Sequence, residues 1–285
     1  MKIVLSARQK SALKISFAVI GSLLVLFLTA FWCLLAYVQA HRSRANYYND
    51  NENYTVTRAI AHRGYSAKYF DNTAEAFEAA GKEGFFYGIE TDIRLTKDGV
   101  WVCSHDDDPF EDKSVLISQT NYEDLRDLPL ALGSATKADR SITYTICTFD
   151  YYLYVCKLTG KTALIEIKGE RSEEEVHDAI EKAQSRLSYS RIIFAGFSLA
   201  TIERVQKADR YLNTLVFTHN GLVGTCYQYM GNHLGINKKS LSKKMVERAH
   251  DKDEYIYVFT IDTRDEWEKY AEMQVDFVIT NDCFA

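Results

Sequence analysis

From Ile15 to Val38 the chain runs 24 residues without a charged side chain. Apolar residues fall on every side of that run, so a helix built from it has no polar stripe to turn toward water. At about 1.5 Å per residue it would reach roughly 36 Å, enough to cross a hydrocarbon core of about 30 Å with some tilt. Lys2, Arg8, Lys10 and Lys14 precede it and only Arg42 and Arg44 follow closely. This bias predicts residues 1–14 in the cytoplasm, a transmembrane helix over 15–38 and the rest of the chain outside. Val38-Gln39-Ala40 also resembles a signal-peptidase site, so secretion after cleavage is the alternative. A signal h-region usually runs about 7 to 15 residues, and the length here favours a retained anchor.

Residues 39–55, mostly the polar stretch HRSRANYYNDNENYT, read as a linker, and the folded domain is expected over 56–285. There, apolar runs of strand length alternate with helical patterns such as Thr73–Glu83, Glu173–Leu187 and Leu241–His250. The expected strands are 58–62, 87–93, 100–104, 163–168, 192–197, 214–218, 255–261 and 277–280. Eight βα units in about 230 residues predict a (β/α)8 barrel. An open doubly wound sheet would give the same alternation, but no GxGxxG turn follows the first strand. His233 to Ile236 is left over as loop, and Asp106 to Thr145 is long enough to cap a site. The net charge of −5 excludes a broad basic surface for nucleic acid. No CxxC or Cys/His spacing supports a zinc site, so most of the six cysteines read as small buried hydrophobes. A Cys147–Cys156 disulfide stays open.

Glu90 and Asp92 lie two apart on one expected strand, so both carboxylates point to the same side. Like charges held that close repel unless a cation lies between them, and carboxylate oxygens suit Mg²⁺ or Ca²⁺. Glu166 and Lys168 repeat the spacing on another strand and offer a third oxygen ligand. Ala61-His62-Arg63-Gly64 and Cys103-Ser104-His105-Asp106 end two further strands. In a parallel barrel such ends meet at one face, which would bring two imidazoles together for proton transfer. The planar fork of Arg63 suits a phosphate oxygen.

The stretches AHRGYSAKYFDNTAEAF, GIETDIRLTKDGVWVCSHD and IEIK, with fainter matches at Phe197-Ser198, 259–262 and 278–282, resemble the glycerophosphodiester phosphodiesterases. The resemblance spans essentially Ala59 to the C-terminus. It implies a TIM barrel that uses one divalent cation, Mg²⁺ or Ca²⁺, to hydrolyse glycerophosphodiesters to glycerol phosphate and an alcohol. His62 and His105 would be the acid–base pair, and Glu90, Asp92 and Glu166 the metal ligands. Arg63 would hold the phosphate, Lys168 would lie beside phosphate or metal, and Phe259 would replace the usual Trp of a late strand. Phe70-Asp71 stands for the usual Pro-Glu, and Asn281-Asp282-Cys283 for the closing Asp-Pro. These departures touch the alcohol and glycerol contacts rather than the reaction.

Two further readings compete: an enzyme for lysophospholipids or glycerophosphate polymers, reached through the membrane anchor, and a silent binding barrel. Lys168 can also be a structural partner of Glu166, and the two roles need not exclude each other. Asp106-Asp107-Asp108 before Pro109 reads as a solvated turn rather than a metal loop. His177, His219 and His233 are expected to be structural or exposed. Of the 19 Tyr and 15 Phe most must be core, with a few free to line an entrance for a lipid-like alcohol.

Overall fold

Strands buried on both faces need cover on both sides, which a parallel sheet with crossover helices supplies. The computed structural model describes residues 7–43, 56–132 and 138–284, with only the helix backbone for 7–18. Its strands are β1 (Arg58–Ala61), β2 (Phe86–Leu95), β3 (Trp101–Cys103), β4 (Cys147–Thr148), β5 (Thr162–Ile167), β6 (Ile192–Gly196), β7 (Asn213–Thr218), β8 (His233–Asn237), β9 (Ile256–Phe259) and β10 (Phe277–Thr280). The helices are α1 (Ala7–Ala40), α2 (Ala74–Lys82), α3 (Tyr122–Leu125), α4 (Phe149–Thr159), α5 (Glu173–Arg186), α6 (Leu199–Ala208), α7 (Gly221–Tyr229), α8 (Lys243–His250) and α9 (Arg264–Glu272). The chain divides into one unit ending at Arg42 and a second beginning at Ser43. Most of the expected linker, residues 44–55, lies outside the described residues.

In the second unit β1, β2, β5, β6, β7, β8, β9 and β10 pair in parallel, and β10 returns to β1 to close an eight-stranded barrel. Alternate residues point inward, where Ile60, Leu164, Leu215, Tyr257, Phe277 and Ile279 fill the interior. Tyr257 and Phe277 stack there with centroids 4.4 Å apart. Helices cover the outside, and several start on capping side chains: Thr73 for α2, Thr148 for α4, and a Ser172/Glu175 capping box for α5.

The expected count of eight barrel strands holds, but two memberships change. Residues 100–104 do not form a barrel strand; β3 folds back antiparallel on the far end of β2, pairing Ile93 with Cys103 and Leu95 with Trp101. The reason is the connection: 96–99 is a tight turn closed by Gly99 at φ +82°, whereas a parallel crossover takes a dozen residues or more. The missing barrel strand is β8, whose short sequence HLGIN read as loop. Gly235 is required there, because a Cβ would lie 2.2 Å from the Phe217 ring of β7. The expected cap folds against β3 and β4 around Phe110, Ile117, Leu125 and Tyr144, with 133–137 outside the described residues.

All six cysteines are free, so the Cys147–Cys156 bridge is not formed. Cys147 faces Cys103 across the β3–β4 ladder, while Cys156 is buried on α4. In the first unit, Val19–Ala40 is a 22-residue stretch of α1 with mean hydropathy 2.5 and exposed apolar side chains. A single-pass anchor and a signal sequence both present such a helix.

Candidate active site

β1 delivers His62 and Arg63 at its C-terminal end, and the chain turns sharply there. Arg63 adopts φ +57° and Gly64 φ +81°. A Cβ on Gly64 would lie 2.7 Å from the Ala76 backbone, so the turn needs glycine. The left-handed Arg63 backbone is held from both sides: its N–H donates to Glu90 Oε2 at 2.8 Å, and its carbonyl accepts from Asn72 N at 2.9 Å. Such strained geometry persists where the surroundings over-determine it. The Arg63 guanidinium then meets Asp71 Oδ2 at 3.1 Å and Asp92 Oδ2 at 3.3 Å.

The period of two on β2 places Glu90 and Asp92 together, and the β2–β5 register sets Asp92 beside Glu166. Oxygens of the three carboxylates come within 4.8 Å of one another, and all three residues are buried. Lys168 Nζ lies between two of them, 2.9 Å from Asp92 and 2.6 Å from Glu166, so its pairing role is not an alternative to its place in the site. Asn72 donates to Asp92 Oδ2 at 2.9 Å and accepts from Thr91 at 2.8 Å, which orients the aspartate.

Three carboxylates therefore face two cations, Arg63 and Lys168, in a place with little water. Burial and the charge of Asp92 hold Glu90 well above the usual carboxylate range. The same causes push Glu166 up to about 7. For Asp92 burial acts in the raising direction, but Arg63 and Lys168 outweigh it and bring the group down to about 2. A divalent cation would offset the repulsion among the carboxylates, and an all-oxygen donor set suits Mg²⁺ or Ca²⁺.

His62 Nδ1 lies 2.7 Å from Asn281 Oδ1. The Asn281 amide nitrogen donates to Asp262 at 3.1 Å and its oxygen also accepts from Ser66 at 2.9 Å, so the oxygen must face the ring. Nδ1 is then the donor, which leaves Nε2 with its lone pair. Burial, then the adjacent Arg63 charge, lowers the ring to about 4, so it is neutral at pH 7. His105 reaches the same cleft by the hairpin return from β3 rather than on a barrel strand. Its Nδ1 meets Asp106 Oδ1 at 2.8 Å. Arg94 clasps the His105 carbonyl through Nε at 3.1 Å and an η-nitrogen at 2.6 Å.

His62, Arg63, Glu90, His105, Glu166 and Lys168 line one cleft of about 220 Å³ with Phe197, Phe217, His219 and Phe259. His219 is thus not a bystander, although its loop position gave no such signal; it stacks on Phe197 at 5.1 Å. His177 is exposed beside Glu181 on α5, and His233 is buried away from the cleft, as expected of structural residues. The sequence reading missed Asn72 and Arg94. Asn72 belongs to the quoted Asn-Thr pair, and Arg94 continues the period of Glu90 and Asp92.

The sequence pattern of the Glycerophosphoryl diester phosphodiesterase family matches residues 62–284. A glycerophosphodiester phosphodiesterase of Bacillus altitudinis is 25% identical over 244 residues, covering 79% of this chain and 95% of that protein. A Thermotoga maritima glycerophosphodiester phosphodiesterase structure is 25% identical, with TM-score 0.62 over 79% of this chain and 95% of that one. An Oleispira antarctica phosphodiesterase, solved in complex with the product sn-glycerol-3-phosphate, shares the fold at 22% identity, with TM-score 0.69 over 79% of this chain and 93% of that one. With the family pattern running from the end of β1 through β10, this chain belongs to the glycerophosphoryl diester phosphodiesterase family, enzymes that hydrolyse glycerophosphodiesters.

Proposed function

We propose that the chain hydrolyses glycerophosphodiesters to glycerol phosphate and an alcohol with one divalent cation, Mg²⁺ or Ca²⁺, and the His62/His105 pair. The observation that carries this reading is the convergence of three buried carboxylates on two cations and two histidines in one cleft. Glu90, Asp92 and Glu166 would hold the cation. When bound, it would polarise the phosphoryl oxygen and lower the pKa of an attacking hydroxyl.

Arg63 and Lys168 bind and orient the phosphate, and their own carboxylate partners keep both charged. His62, neutral with Nε2 unprotonated, takes the proton from the attacking oxygen. His105, with Nδ1 donating to Asp106, gives a proton from Nε2 to the leaving alcohol. Arg94 fixes the loop from which His105 projects. Phe259 lies at the substrate side of the cleft.

The domain plan follows the sequence: cytoplasmic 1–14, a membrane span over 15–38, a linker over 39–55 and a catalytic domain over 56–285 outside the cell. Protease shaved onto intact cells should remove a C-terminal tag; full protection would reverse the orientation, and tagged protein free in the medium would mean cleavage. For the reaction, full-length protein in detergent is given glycerophosphocholine with added Mg²⁺ or Ca²⁺. The phosphate should stay on glycerol, read by ³¹P NMR, and His62→Ala and His105→Ala should each slow turnover by about a hundredfold or more. Turnover undiminished by both substitutions sinks the assignment.

A further inference from the structure

Where the cap leaves β3 and where it returns to β4, each strand carries a cysteine. Cys103 ends β3, Cys147 opens β4, and the antiparallel register sets the two directly opposite. Among the described residues they are the only cysteines on strands. Ser104 N donates to Asp92 O, so Ile93 and Cys103 are a non-hydrogen-bonded pair and the main-chain groups of Cys103 turn toward β4. Cys103 and Cys147 are then a hydrogen-bonded pair, with Cα atoms about 5.5 Å apart. A disulfide spans about 4.4–6.8 Å between Cα atoms, so this spacing needs no movement of the backbone.

The side chains agree with the backbone. Directly opposite residues send their side chains to the same face of a ladder, and both cysteines join the apolar cluster that β3 and β4 share with Phe149 and Tyr152 of α4. Both are buried there. Hydrogen bonding with the Cys103 thiol, then burial, holds the Cys147 thiol well above its usual range. Cys156, the third thiol of the cluster, lies on α4 and has no strand partner.

The ladder that closes the root of the cap holds only two residue pairs, and His105 stands two residues beyond it. A bond across that root would close residues 104–146 into a loop. Closing a long loop removes conformational freedom chiefly from the unfolded chain, which favours the folded one.

We propose that Cys103 and Cys147 are a disulfide site that staples the root of the cap. The oxidant is an external disulfide. One cysteine thiolate attacks it, expels one thiolate and leaves a mixed disulfide; the second cysteine attacks the protein sulfur of that bond and expels the other. The two protein thiols give up two protons and two electrons, and the external disulfide becomes two thiols. Because native burial and a raised thiol slow the first attack, the bond forms while the cap is open, and the closed cap then shields it from reductants. The outward placement of the domain puts the pair where such bonds persist.

Full-length protein in detergent, equilibrated with oxidised and reduced glutathione just below its melting temperature, is quenched in acid and digested without reduction. The expected product is a peptide pair joined through Cys103 and Cys147, lighter by two hydrogens than its free parts. Oxidised wild type should melt roughly 5–15 °C above the reduced protein, and Cys103→Ala/Cys147→Ala should show no such difference. If that variant does not fold, the wild-type digest and melts decide alone. Free thiols at both positions, a bridge to another cysteine, or a Cys103–Cys147 bridge that fails to raise melting overturns the staple. Cells quenched in acid and alkylated in denaturant should show the pair blocked. Free thiols in cells beside a bridge in the purified protein overturn the outward placement instead and leave the site standing.

Discussion

The two ends of the barrel bury ionisable groups with similar thoroughness and to different ends. At the C-terminal face Glu90, Asp92 and Glu166 lie with Arg63, Lys168 and His62 around a cleft. At the N-terminal face His233, at the start of β8, and Glu254 and Asp276, just before β9 and β10, are as deeply buried. Two of those are committed to backbone. His233 Nδ1 accepts from Tyr255 N at 2.9 Å, and Asp276 Oδ2 accepts from Ile256 N at 2.8 Å. Burial of charge therefore does not mark a site in this molecule; convergence of unlike groups on shared space does. Parallel barrels reserve the C-terminal face for chemistry and the other for stability.

That contrast breaks most visibly under substitution. His62→Ala should lower kcat by about 10²–10⁴, the usual worth of a positioned acid–base group, with little change in melting. Asp276→Ala should do the reverse. It strands the Ile256 amide and removes the partner of His250 at 3.3 Å, costing about 3 kcal/mol of stability. Activity per folded molecule should stay within twofold. A thermal melt and an active-site-normalised rate on both variants check the pair, and an inactive but stable Asp276→Ala would erase the distinction.

Cation binding should sharpen it next. Mg²⁺ or Ca²⁺ at about one hundred times its dissociation constant should stabilise the wild type by about 2.7 kcal/mol. Asp276→Ala should keep that gain and Glu166→Gln should lose most of it, read as the shift in melting temperature with and without chelator.

How far this contrast was legible in the sequence depends on the range of the interactions. Period-two spacing is local, so Glu90 with Asp92, and Glu166 with Lys168, could be paired from the sequence alone. The strand memberships depended on partners far along the chain. Leu95 to Trp101 is one hairpin turn, and only the antiparallel register shows that β3 leaves the barrel. β8 is short and broken by Gly235, whose purpose is to admit Phe217 from β7. Apart from Phe259, the aromatic residues of the cleft escaped notice for the same reason, the set being assembled from β7, β9 and the loops after β6 and β7. His219 and His233 look alike as isolated residues, and only packing sends one to the cleft and the other to the barrel floor.

The floor of the barrel also carries a pH dependence. Burial lowers His233 to about 3 from an unfolded value near 6.5, and protonating Nδ1 would set it against the Tyr255 N–H. The unfolded chain thus binds the extra proton first. Stability from this group is complete above about pH 6.5 and declines by roughly 1.4 kcal/mol per unit as pH falls toward 3. Denaturant midpoints across that range should fall less steeply in His233→Gln, and equal slopes would remove His233 as a source.

The central claim is that the three converging carboxylates hold a divalent cation that the hydrolysis requires. Choline release from glycerophosphocholine, measured after chelation and then with Mg²⁺ or Ca²⁺ restored, tests it in wild type and Glu166→Gln. The account predicts that chelation abolishes wild-type release, that one of the two cations restores it, and that Glu166→Gln stays at least a hundredfold slower at the same cation concentration. Release that continues undiminished in chelator, or a Glu166→Gln protein that matches the wild type, would contradict it.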